Sequence, residues 1–280
     1  MRIITDSAAD MTQQELHCKD VKCVPMQVMF GEETFTAGQD LTDEQLWSRL
    51  LAGQIGKTSQ PSPAAFLEAF EKIKAAGEEA VCICVSSALS GTLQSAKLAL
   101  SMLEYDKIHI VDSLSAAGAQ KLLVMHACQL RDEGLLQAKE IAERIESLRS
   151  RVRLVASLDT LENLARSGRI SQAAANIGKL AQLKPIVQVS QEGCIEVCGK
   201  AIGRHRAIDA LCKKITAMKI DNRFPILPVY THTTDNCAAL VKKLRDHAVS
   251  IQDDVFSALG ATLAVHIGPG AYGVAFIAEE

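Results

Sequence analysis

Ala80-Val81-Cys82-Ile83-Cys84-Val85-Ser86-Ser87-Ala88-Leu89-Ser90-Gly91-Thr92 runs from an unbroken apolar stretch into a cluster of small hydroxyl residues, and a helical pattern then continues to Leu103. A short apolar run closed by turn residues reads as a strand covered on both faces, so strand, turn and helix form one βα unit. The same alternation recurs on both sides of it. Strands are expected at residues 2–5, in parts of 21–30, and at 80–85, 108–111, 151–156, 185–189, 226–230 and 273–278. Helices are expected at 43–51, 63–76, 92–103, 116–131, 136–149, 171–180, 206–217 and 235–248, with Gly53, Gly77 and Gly134 as stop signals. Repeated βα units predict an α/β fold built on a mainly parallel sheet.

The chain has 280 residues, more than the roughly 100 to 150 of a usual single domain, so two domains around separate cores are expected. An amphipathic helix at 136–149 runs into a new apolar strand, which puts the boundary near Ser150: an N-terminal α/β domain over 1–150 and a C-terminal one over 151–280. Gln191-Glu192-Gly193, between two apolar runs, reads as a hairpin turn, so the second domain is expected to hold a mixed sheet with helices.

Hydrophobic residues make up 48% and charged residues 22%, values that exclude a disordered or low-complexity chain. Aromatics are only 4%, which disfavours a base-stacking module. With 30 Lys plus Arg against 33 Asp plus Glu, no strong field draws the protein to nucleic acid or to an anionic membrane, so an anionic ligand must be held locally. Nine irregularly spaced cysteines and an opening Met1-Arg2-Ile3-Ile4-Thr5-Asp6 without an apolar signal core favour reduced thiols and a cytoplasmic location. Residues 255–278 carry no Asp, Glu, Lys or Arg, yet His266-Ile267-Gly268-Pro269-Gly270 would break a membrane helix, so no stable membrane insertion is expected.

The turn that ends in Ser90-Gly91-Thr92 is the strongest candidate for chemistry. A helix start offers unpaired N–H groups, and the Ser90 and Thr92 hydroxyls add donors, so a carboxylate could be bound there; alternatively Ser90 simply caps the helix. Lys57-Thr58-Ser59-Gln60-Pro61-Ser62-Pro63 is a second hydroxyl cluster, read as a loop between two helices. Arg166-Ser167-Gly168-Arg169 places two guanidinium groups beside a glycine turn at an expected helix start, and Arg suits carboxylate or phosphate. His266 precedes a tight Gly-Pro-Gly turn and is either an anion donor or a satisfied structural histidine.

Other patterns fall away. Gly53-Gln54-Ile55-Gly56-Lys57-Thr58 imitates a phosphate loop, but Leu51 stands where the motif needs its first glycine. Gly268 to Gly273 matches the dinucleotide glycine pattern with no room for the helix that should follow. Cys82 and Cys84 share one face of a strand, Cys194 and Cys198 flank a hairpin arm, and neither pair forms a zinc pattern. Ile4-Thr5-Asp6-Ser7 and Ile110-Val111-Asp112-Ser113 both end a strand in Asp-Ser, either as local caps or on a common ligand-facing edge. A rival enzyme reading makes Ser90 a nucleophile and His266 its base in an acyl-ester hydrolase, although the Gly-x-Ser-x-Gly elbow is missing.

Taken together, Thr5-Asp6-Ser7-Ala8-Ala9-Asp10, Phe30-Gly31-Glu32-Glu33, Thr58-Ser59-Gln60-Pro61-Ser62-Pro63, Ser86 to Thr92, Gly168-Arg169-Ile170, Lys184-Pro185-Ile186 and His266 to Gly270 resemble, in order, the bacterial DegV family of fatty-acid-binding proteins. The resemblance implies a lipid-binding protein rather than an enzyme, with no cofactor. One long-chain fatty acid would lie with its carboxylate at the interface of two α/β domains and its tail buried in one of them, and the Ala/Leu/Ile/Val-rich second domain is expected to enclose it. Thr58, Ser90, Arg169 and His266 match the family's head-group positions, with Ser59, Gly91 and Thr92 as secondary ligand-binding candidates. The implied partner is a separate ATP-dependent fatty-acid kinase subunit that makes the acyl phosphate. Ala37, Leu93 and Ile202 depart from the family pattern, where an acidic residue, an aromatic and an arginine are usual.

Overall fold

The computed structural model describes residues 1–171, 182–252 and 255–279. Its first sheet is wholly parallel, in the order Val21–Val24, Arg2–Asp6, Ala80–Cys84, Ile108–Asp112. Successive side chains alternate between its faces. Ile3, Val81 and Ile83 meet the helices Ala117–Glu133 and Ala138–Arg149, whereas Ile4, Cys82 and Cys84 meet Pro63–Ala75 and Thr92–Leu103. Helices on both faces leave no position for a polar side chain, which is why Ala80–Cys84 is apolar without a break. Cys82 and Cys84 do share a face, with their sulfurs 3.8 Å apart.

The second sheet is mixed, in the order Ile195–Ile202, Leu183–Val189, Val152–Ser157, Tyr272–Ile277, Leu227–Tyr230, Ser257–Ala258; only the last pair is parallel. The hairpin expected around Gly193 is present, and its tip reaches the other sheet, where the Ser86 hydroxyl donates to the Gly193 carbonyl at 2.9 Å. Val155, Ile186, Val274 and Phe276 pack under the helices Arg204–Thr216 and Asp235–Asp246. On the opposite face lies Ala117–Glu133, so that Leu227, Ala275 and Ile277 join Ile3 and Val81 in one continuous apolar cluster. This one helix is thus packed by both sheets, while each sheet keeps a further core on its other face.

A third sheet of three short antiparallel strands, in the order Glu33–Thr36, Gln27–Phe30, Gly56–Ser59, was not expected. The 57–63 stretch is thus a strand before it is a loop. Helices Gln13–Cys18, Glu162–Arg166 and Ala261–Ile267 were likewise not anticipated. Residues 255–278 divide into a two-residue strand, a seven-residue helix and a strand, and among the described residues no helix is long and apolar enough to cross a membrane. The helix expected over 171–180 lies, beyond Ser171, outside the described residues.

Candidate functional site

An apolar cavity lies between the carboxyl ends of the parallel strands and the inner face of the mixed sheet. Ala8 follows the Arg2–Asp6 strand, and Val85, Leu89 and Ser90 follow Ala80–Cys84. These two strands are neighbours from which the sheet continues in opposite directions, the point where open α/β sheets leave a crevice for ligands. The mixed sheet contributes Leu154, Ala156 and Val187, and the Ala261–Ile267 helix contributes Leu263 and His266. Nearly every wall group is a hydrocarbon.

The polar residues on its wall are Gln188, Thr262, Tyr272 and four others. Thr58, Ser90, Arg169 and His266 all line this cavity, although they come from four separate segments. Thr58 is held by pairing of Gly56–Ser59 with Gln27–Phe30, where it stands opposite Val28. His266 ends the short helix packed against that sheet through Val28, Phe30, Ala264 and Val265. Gly56 permits the approach, since a Cβ there would lie 2.5 Å from the Val265 side chain. As a result Thr58 Oγ1 and His266 Nε2 are 2.7 Å apart. Burial first, and the nearby Arg169 charge second, push the His266 imidazole down to about 4, so it is neutral at pH 7.

Ser90 is not the helix cap; Gly91 occupies that position without a side-chain bond. The Ser90 hydroxyl lies 2.9 Å from that of Thr92, which keeps it fixed beside the helix start and at the cavity wall. Arg169 donates from Nε to the Leu89 carbonyl at 3.3 Å and from Nη1 to the Ser167 carbonyl at 2.5 Å, tying its segment to the Ser90 turn. That segment follows the C-terminal end of Glu162–Arg166, and the helix expected after it lies, beyond Ser171, outside the described residues. The structure does not bring Ser59, Gly91 or Thr92 to the cavity wall. Strand alternation turns exposed Ser59 away from Thr58, Gly91 faces Gln60, and Thr92 is fully buried behind Ser90.

Ser90 and His266 do not form a nucleophile and base pair. His266 Nε2 is taken by Thr58, and among the described residues its buried Nδ1 has no hydrogen-bond partner, so no carboxylate orients the ring as a triad requires. The two Asp-Ser strand ends are local supports. Asp6 accepts from the Ala8 and Val85 N–H groups at 2.9 and 2.7 Å, and Asp112 accepts from those of Ser87 and Leu114 at 3.2 and 3.0 Å. Burial pushes the Asp6 carboxyl up to about 6. Together these carboxylates pin the loops that carry Ala8 and Ser90. Of the three departures from the family pattern, Ala37 and Leu93 are buried away from the cavity and Ile202 is exposed.

Residues 1–279 match the family model described as "Uncharacterised protein, DegV family". The DegV domain-containing protein YteA of Lactococcus lactis is 33% identical over 288 residues, spanning 100% of this chain and 98% of that protein. Among solved structures, the fatty-acid-binding DegV family protein of Thermus thermophilus superposes with a TM-score of 0.88 at 29% identity, covering 100% of both chains. The Streptococcus pneumoniae fatty acid kinase (Fak) B3 protein, loaded with linoleic acid, superposes with a TM-score of 0.84 at 23% identity over 99% of each chain, a likeness of fold.

Proposed function

Because the chain belongs to the DegV family, we propose that it binds one long-chain fatty acid, holding the carboxylate among Thr58, Ser90, Arg169 and His266 and the tail in the apolar cavity. The observation that carries this is a largely hydrocarbon-walled cavity to whose wall Thr58, Ser90, Arg169 and His266 all come. Such a cavity gains roughly 0.8 kcal/mol per buried methylene. Its polar groups offer donors a carboxylate needs: two hydroxyls and a guanidinium, with the His266 imidazole bonded to Thr58.

The fatty-acid-binding Thermus thermophilus relative supports the ligand class. In this reading the Ser90 and Thr58 segments come from 1–150 and Arg169 and His266 from 151–280, so the head group lies between the two units. The protein acts in the cytoplasm as a carrier without a cofactor. It presents the carboxylate to a separate ATP-dependent kinase that forms the acyl phosphate, and the Fak B3 fold likeness agrees with that partner class.

Mass spectrometry of the purified protein under native conditions, and after organic extraction, tests the carrier. The expected result is one fatty acid per chain. A protein that carries no acyl ligand and takes up none when it is supplied would overturn the proposal.

A further inference from the structure

The helix Ala261–Ile267 brings Leu263, His266 and Ile267 to the cavity wall, yet it is tied down from the other end of the chain. Its apolar side packs on the small sheet through Ala261, Ala264 and Val265. Apolar contact is non-directional, so it holds the helix against the sheet without fixing its position along its own axis. Gly260, which begins the helix, has no side chain to cap it. The loop after the first strand supplies two polar ties instead. Asp10 Oδ1 accepts from the Gly260 N–H at 2.9 Å, and Ser7 Oγ lies 2.9 Å from Thr262 Oγ1, across 250 and 255 residues of chain. Ser7 Oγ also accepts from the N–H of Met26, a cavity-wall residue, at 3.0 Å. Neither Ser7 nor Asp10 lines the cavity itself.

We infer that Ser7 and Asp10 are positioning residues for fatty-acid binding: they fix the N-terminal end of the Ala261–Ile267 helix and thereby set where His266 stands against Thr58. For its ligand the inference rests on the carrier proposal. At 1.5 Å per residue, His266 lies about 9 Å along the helix from Gly260, so a slip at one end is carried whole to the ring. A displacement of about 1 Å away from Thr58 would stretch the 2.7 Å contact past hydrogen-bond range. Asp10 acts through an acceptor oxygen and not through charge. It is buried, and its Oδ2 has no hydrogen-bond partner among the described residues. Burial pushes its carboxyl well above the usual range, the Gly260 N–H and the Lys121 charge pull it back only in part, and the Asp6 charge adds to the rise. Lys121 is itself paired with Glu15 at 2.6 Å.

Ser7→Ala and Asp10→Ala each remove one tie, whereas Asp10→Asn keeps an acceptor oxygen for Gly260. Palmitate is titrated into each full chain by calorimetry. In the ligand-free protein the His266 imidazole is followed by proton NMR, its signal among the seven histidines assigned with His266→Gln. Each alanine variant should bind palmitate about fivefold to tenfold more weakly. In both, the His266 titration should rise from about 4 by at least about one pH unit as the ring gains solvent. Asp10→Asn should stay within about twofold of the wild type and leave the titration in place. Wild-type affinity in both alanine variants, or weaker binding with the His266 titration unmoved, would overturn the positioning role, because a loss of global stability alone does not shift that titration in the folded protein. Asp10→Asn binding as weakly as the alanine variants would overturn the acceptor role of Asp10. If Asp10→Ala does not fold, Ser7→Ala decides by the same two readings. A wild type that takes no palmitate would overturn the carrier proposal, while the His266 titrations would still decide the positioning role.

Discussion

Thr58 Oγ1 meets His266 Nε2 at 2.7 Å across 208 residues of chain, and the roles in that bond decide what the cavity can hold. If Nε2 carries the proton, it donates to Thr58 and frees the hydroxyl hydrogen for a ligand. If Nδ1 carries it, Thr58 must donate to the ring, and a buried N–H is left without a partner among the described residues. Leaving a buried donor unmade is costly, so the first tautomer is favoured and Thr58 faces the cavity as a donor. Thr58→Val keeps the shape of the side chain and removes the hydroxyl. Fatty-acid affinity should fall by about 1 to 2 kcal/mol, or roughly tenfold, with folding retained, measured by titration calorimetry. Unchanged affinity would show that Thr58 gives nothing to the ligand.

His266 also sets a pH dependence with a definite sign. In the folded, empty protein it stays neutral down to about 4, against an ordinary value near 6.5, while in the unfolded chain it takes its proton at the ordinary value. Its contribution to stability is therefore complete above pH 6.5 and is lost as pH falls from there to 4. Asp6 works in the opposite sense: pushed up to about 6, it contributes below its ordinary value of 3.8 and loses that contribution as pH rises through 6. The readout is thus the difference between wild type and His266→Gln in denaturant melts. That difference should shrink steadily from pH 7 to pH 4. A gap that does not change with pH would mean that His266 titrates normally in the fold.

Gly56 makes the Thr58 and His266 contact geometrically possible. A methyl group there would lie 2.5 Å from Val265 Cγ1 and 3.1 Å from the Phe30 ring, pushing the Ala261–Ile267 helix off the small sheet. Gly56→Ala should cost about 1 to 3 kcal/mol of stability by overpacking. It should also weaken fatty-acid binding more than Gly53→Ala, whose Cβ meets nothing within 4 Å although its backbone φ is +81°. Thermal melts and ligand titrations on the two variants make the comparison, and equal effects on binding would disprove the spacer role.

The βα rhythm around Ala80 to Thr92 was legible because strands buried on both faces leave an unbroken apolar record, as in Ala80–Cys84. Gly56–Ser59 left no such record, since it is a short edge strand with alternating half-exposed and exposed positions and two hydroxyls. The Ala261–Ile267 helix was hidden for a different reason: seven mostly apolar residues have no periodicity that separates a buried helix from a strand. Thr58, Ser90, Arg169 and His266 were identifiable as polar groups beside turns. Their convergence depends on the unanticipated strand and helix, so chain order alone could not reveal it.

Asp6 supports the site without lining its cavity. Its two oxygens receive the Ala8 and Val85 N–H groups, and Gln120 Nε2 adds a third donor at 3.3 Å. Asp6→Asn keeps one acceptor oxygen and turns an N–H toward a backbone N–H, a conflict that should cost about 1 to 3 kcal/mol. The gap between wild type and variant should narrow from pH 4 to pH 7, as the wild type loses the stability of its protonated form through about 6. Chemical denaturation across that range measures it. A variant as stable as the wild type at every pH would remove Asp6 from the support of these loops.

Ala156 gives access to the tail independently of the head group. It lies on the Val152–Ser157 strand between Val187 and Gly273, lines the cavity, and packs with Leu158, Leu164 and Ala271 in an apolar cluster. In the wild type each added methylene should strengthen binding by roughly 0.8 kcal/mol, close to fourfold per carbon, until the chain fills the cavity. Ala156→Phe would occupy part of that space while leaving Thr58, Ser90, Arg169 and His266 untouched. Dissociation constants for saturated acids from about 8 to 18 carbons should then fall in parallel with those of the wild type at short lengths and level off earlier, because later carbons find no apolar wall to cover them. General damage to the fold would weaken every chain length alike. A ramp that keeps its wild-type slope to the longest acid would show that the tail follows another path.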